Sequence, residues 1–164
     1  MGLLRGGQLV ADHFLDASAL DAVPPTVPVI VSLAQWQADR DALLARGTPL
    51  GVRLKSDQHP QVLAADLALL AVVVLEFPKF RDGRPYTYAR LLRERYRFTG
   101  ELRAVGDVLQ EQLGFMQRCG FDSFELQSPD PEQAWSTVAS DHSVHYQGTG
   151  ASPTRAWDRR RQAP

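Results

Sequence analysis

Four charged residues occupy positions where a chain usually places hydrophobic ones. Arg53, Glu76, Arg103 and Glu125 lie within or at the ends of the short apolar runs LGVRL, AVVVLEF, ELRAV and FDSFEL. A charge inside a strand must be paired or face a cavity, because a dry, unpaired charge costs as much as a small domain's whole stability. Two arrangements meet that demand. In one, the arginines grip a small oxyanion and the carboxylates hold the arginines in place. In the other, the four residues form structural ion pairs, Arg53 with Glu76 and Arg103 with Glu125.

A second concentration of charge follows directly. Between Phe77 and Tyr88, the residues Lys79, Arg81, Asp82, Arg84, Tyr86 and Tyr88 bring cations and phenols together ahead of a helix. Free N–H groups and the helix dipole favour an anion at such a place. The plainer reading is a solvated Asp82-Gly83 turn. Arg90, Arg93 and Arg97 follow at helical spacing and line one face, either solvated or a partner patch. Glu76 and Asp107 are candidate general bases, with Arg81, Arg84 or Arg103 to stabilise developing charge. Asp107 also suits a helix cap after Gly106. Cys119, beside Phe115 and Met116, reads as a buried inert thiol. His142 and His145 have no evident third ligand, and His13 and His59 are isolated, so no metal site is assigned. The fingerprints of dinucleotide, P-loop, dithiol and nucleophile-elbow chemistry are all missing, and no cofactor can be named.

Elements that alternate in type must position these residues. Residues 1–26 read as irregular, with an edge strand at 8–11 and Pro24-Pro25 barring a helix. Strands are expected at 27–33, 50–54, 71–77, 101–105 and 121–126; their apolar runs suit a parallel sheet covered on both faces. Helices are expected from Leu33 to Gly47, from Pro60 to about Leu70, from near Thr87 to Thr99-Gly100, from Val108 to Gly120, and from a Ser128-Pro129-Asp130-Pro131 cap to about Ser140. A single α/β domain thus spans 27–146, with a flexible tail at 147–164. About five mainly parallel strands joined by right-handed crossovers form a partial TIM-barrel-like sheet, the alternative being an open flavodoxin- or Rossmann-like one. Either way the C-terminal strand ends gather the charges: Arg53, Lys55, Asp57 and His59; Glu76 to Arg84; Arg103 and Asp107; Glu125.

The totals narrow the function. The 164 residues carry 18 basic and 19 acidic side chains, a formal charge of −1, which gives no support to nucleic-acid binding. One cysteine rules out an internal disulfide and a cysteine-held cluster. No secretory leader is evident, and the longest apolar stretch, Leu67 to Leu75, is about half of a membrane span. The expectation is a cytoplasmic protein without membrane or nucleic-acid partners.

From Leu75 to Leu126 the chain contains FPKFRDGR, YARLLRERY, GELRAVGDVL and RCGFDSFEL in that order. The segment resembles a bacterial family of unknown function that carries the label of an oxidoreductase in sulfite reduction; Pro85-Tyr86-Thr87 departs from the pattern, where a small residue and Ser are expected. The resemblance implies a place in sulfite reduction and sulfate assimilation, and it assigns no catalytic residue. The chain lacks the cysteines with which a sulfite reductase holds its cluster and sirohaem. Two functions stay open. The first is an accessory protein that binds an oxyanion or docks on the reductase through Lys79 to Arg90. The second is a small oxidoreductase using strand-end carboxylates, arginines and a borrowed cofactor.

Overall fold

The computed structural model describes residues 2–126 and 128–141. Eight strands form one sheet: β1 (Gly2–Arg5), β2 (Gln8–Val10), β3 (Leu15–Asp16), β4 (Val29–Ser32), β5 (Leu50–Leu54), β6 (Val72–Phe77), β7 (Glu101–Gly106) and β8 (Ser123–Leu126). Their spatial order is β2-β1-β8-β7-β6-β5-β4-β3. From β3 to β8 every neighbour is parallel, while the β1–β2 hairpin joins β8 antiparallel.

The N-terminal chain requires this sheet to curl. In a flat sheet β2 and β3 would stand seven strand spacings apart, about 34 Å. The link from Val10 to Leu15 reaches at most about 18 Å when fully extended. The two edges therefore approach each other, and the sheet is a half-barrel, the first of the two arrangements expected from the alternating pattern. The N-terminal residues, read as irregular apart from an edge strand at 8–11, supply that strand, two more and this link.

Helices α1 (Leu33–Ala45), α2 (Arg84–Arg90), α3 (Leu113–Cys119) and α4 (Pro131–Asp141) all add to one hydrophobic layer, with Trp36, Leu43, Ala89, Met116 and Ala134 packed on the outer faces of the strands. Ser32 starts α1 with a capping box: its hydroxyl accepts the Gln35 N–H at 3.2 Å, and Gln35 Oε1 accepts the Ser32 N–H at 2.7 Å. Two expectations need correction. Residues 60–70 form two short 3₁₀ turns, Pro60–Leu63 and Leu67–Leu69, in place of one helix. Between the turns, Asp66 faces α1, where Trp36 Nε1 and Arg40 donate to its carboxylate. The helix expected from near Thr87 to Thr99-Gly100 starts earlier, at Arg84, and ends earlier: α2 widens into a π turn at Leu91–Arg95, and Arg97 takes the left-handed conformation. The expected tail at 147–164 and the His142 and His145 pair ahead of it lie outside the described residues.

Candidate functional site

Alternation along the strands sends Ile30, Val72, Val74 and Val105 to the concave face, where they pack with Phe14 as a small second core. Arg53, Glu76, Glu101, Arg103, Ser123 and Glu125 share their parity and that face. The link to β3 crosses here. Asp12, Phe14 and Asp16, two residues apart, meet the strand charges.

Arg103 is fully buried, and each of its three side-chain nitrogens is engaged. Its Nη1 and Nη2 donate to the two oxygens of Asp12 at 2.6 and 3.1 Å, and its Nε donates to Glu101 at 3.0 Å. Glu101 also accepts from Ser123 Oγ at 2.6 Å and pairs with Arg5. Phe14 lies against the Arg103 guanidinium, 5.9 Å from its ring centroid. Arg53 bridges Glu76 at 3.0 Å and Asp16 at 2.7 Å. The expected Arg53–Glu76 pair is therefore present. The expected Arg103–Glu125 pair is not; Asp12 and Glu101 take that place because the N-terminal link delivers one carboxylate and β7 itself the other.

Glu125 has no hydrogen bond or ion pair among the described residues. Burial raises its carboxyl above the ordinary range, partly offset by Arg103 and Arg53. Glu125 therefore retains a proton to higher pH than an exposed glutamate. Counted together, the face holds Arg5, Arg53 and Arg103 against Asp12, Asp16, Glu76, Glu101 and Glu125. An oxyanion entering here would compete with carboxylates already bound to the arginines.

The rim at the strand ends is built differently. Gly106, at φ +96°, lies so close to Phe77 that a Cβ would stand 2.4 Å from its carbonyl oxygen. This turn aims Asp107 across to the neighbouring loop, where its carboxylate accepts the Phe80 N–H at 2.9 Å. Gln112 Nε2 donates to the Phe80 carbonyl at 2.8 Å, and the Asp82 N–H donates to Lys79 at 2.9 Å. Arg84 forks onto Asp82 and reaches the buried Ser56 Oγ at 2.9 Å; these bonds hold the Asp82 carboxyl well below the usual range. Tyr88 donates to the Ser56 carbonyl and packs edge-on to His59.

The sequence candidates thus separate into groups. Arg84, Asp82, Asp107 and Tyr88 shape the rim loop. Lys79 and Arg81 are exposed, and neither has a partner among the described residues. Tyr86 turns into the outer layer against Phe77 and Phe115, and burial pushes its phenol up to about 12. Arg90 leaves the loop and pairs with Glu94. Burial also raises the Cys119 thiol, as suits an inert core position. The sequence reading missed Asp12, Phe14, Asp16, Glu101, Ser123, Ser56 and Phe80. Glu101 was within reach, because its spacing of two from Arg103 places both on one face.

Residues 51–157 match a family described as bacterial protein of unknown function (DUF934). The chain belongs to this family. The matched segment begins in β5 and includes the rim loop, Arg103 and Glu125, whereas Asp12 and Asp16 precede it. No curated protein matches the chain. Among the described residues no helix is long and apolar enough to cross a membrane, and no cluster of three or more histidine, cysteine or carboxylate side chains could hold a metal ion.

Proposed function

We propose that this DUF934 protein is an accessory component of sulfite reduction, acting in the cytoplasm by docking on the reductase through the rim loop that runs from Lys79 into α2. One observation carries the reading. Phe80 is 51% exposed between two cations whose side chains have no partner among the described residues, although its own N–H and carbonyl are fixed by Asp107 and Gln112. An aromatic held out on a rigid backbone loses little entropy on binding, and aromatic and arginine side chains recur as interface anchors. Lys79 and Arg81 would favour an acidic patch around a small apolar pocket on the partner. The pathway comes from the resemblance of Leu75 to Leu126. Co-purification of tagged protein with the reductase of the same bacterium tests the proposal. A complex that weakens with added salt supports it, and no complex at low salt contradicts it.

Glu125 favours a second reading, a small enzyme working with a borrowed cofactor. Here Glu125 replaces Glu76 and Asp107 as the acid–base group, because Glu76 is tied to Arg53 and Asp107 to Phe80. Any turnover should then disappear in Glu125→Gln while the fold stays intact.

A further inference from the structure

At the opposite end of the sheet, away from the rim, lies an open cleft of about 740 Å³ between the end of β1, the π turn, the end of α3 and α4. That volume falls within the roughly 300–1,000 Å³ typical of small-molecule sites. Its charge is one-sided: Arg5, Arg93, Arg97 and Arg118 line it against Glu94 and Asp122. Two of the arginines have structural duties. Arg5 pairs with Glu101, and Arg93 donates to the carbonyls of Phe98, Gly100 and Gly120 and pairs with Asp122.

The other two have no such duty. Arg118 rests on the Phe115 ring, 5.3 Å from its centroid, and its buried Nε has no hydrogen-bond partner among the described residues. Arg97 has neither hydrogen bond nor ion pair among the described residues, yet its backbone sits at φ +55°. It occupies the position just past a helix end, where the Phe98 N–H turns back to the Leu92 carbonyl. Glycine is the usual residue there, because a side chain makes the left-handed conformation costly. Helix-dipole compensation does not require an arginine here, since Arg93 and Arg95 already stand in the last turn.

We propose that this cleft binds a small organic molecule through a phosphate or sulfate group, with Arg97 and Arg118 gripping the oxyanion and Trp135 bordering the space for the organic part. The site shares no residue with the rim loop, so it stands or falls separately from docking on the reductase.

Calorimetric titration at low ionic strength tests it, with phenyl phosphate and inorganic phosphate as probes and Arg97→Gly, Arg118→Met and Arg81→Ala as variants. Wild type should bind phenyl phosphate more tightly than inorganic phosphate. Arg97→Gly and Arg118→Met should each weaken phenyl phosphate binding at least tenfold, and Arg81→Ala should leave it unchanged. Because glycine relieves the backbone, Arg97→Gly should also raise Tm by about 2–4 °C. The proposal is overturned if wild type binds neither probe at millimolar concentration or if both cleft variants bind like wild type. A lower Tm in Arg97→Gly would likewise overturn it, showing that the arginine serves the helix end.

Discussion

On the concave face, the buried Arg103 meets Asp12 and Glu101, and Arg53 meets Glu76 and Asp16. At the rim, Lys79 and Arg81 face solvent around an exposed Phe80. Both regions are rich in arginine, and they use it for opposite ends. The inner arginines hold the N-terminal link against the sheet and help keep the half-barrel curled. The rim instead uses carboxylates and glutamine to fix a backbone, and Lys79 and Arg81 have no side-chain partner among the described residues. Abundant charge at strand ends therefore does not by itself mark a ligand pocket; what decides is whether the charges are already satisfied.

Breaking the inner network should have the largest effect. Arg103→Met takes the buried partner from Asp12, which is partly solvated, and from Glu101, which keeps Arg5 and Ser123, and should cost about 2–3 kcal/mol in urea denaturation. A loss below about 1 kcal/mol, the scale of exposed pairs, would mean that the link is held by other contacts. Asp107→Ala should cost less, about 1 kcal/mol for one hydrogen bond, and should weaken reductase binding although Phe80 is intact. If binding is unaffected, the fixed geometry of the loop is irrelevant to docking.

Glu125→Gln should have the smallest effect on stability and should reveal it through pH. Burial raises the folded carboxyl above its ordinary value of 4.5, so the native state holds this proton more tightly than the unfolded chain. The wild type should therefore lose stability as pH rises from 4.5 through the raised value, and the variant should lack that decline. Tm profiles of the two proteins that stay parallel from pH 4 to 8 would show that Glu125 is solvated.

The strands were legible because runs such as VVVLEF and LGVRL carry β-branched residues at a length only a buried strand suits. The same runs fit an open sheet equally well, and the curl depends on an N-terminal link without local pattern. The Arg53–Glu76 pair was legible too, since both residues interrupt apolar runs. The partners of Arg103 were not. Asp12 and Asp16 stand in a segment with no local pattern, and only sheet closure brings them about 90 and 37 residues back onto the arginines. The split of residues 60–70 into two turns escaped for a similar reason, because Asp66 is engaged by Trp36 and Arg40 far along the chain. Phe80 escaped because exposure cannot be read from residue type.

The most direct test of the docking claim is the affinity of purified sulfite reductase for wild type, Phe80→Ala and the double variant Lys79→Glu, Arg81→Glu, each checked to have wild-type stability. The account expects at least a tenfold loss in Phe80→Ala and no measurable binding in the charge reversal. Wild-type affinity in both variants would contradict it and move the interaction away from the rim loop.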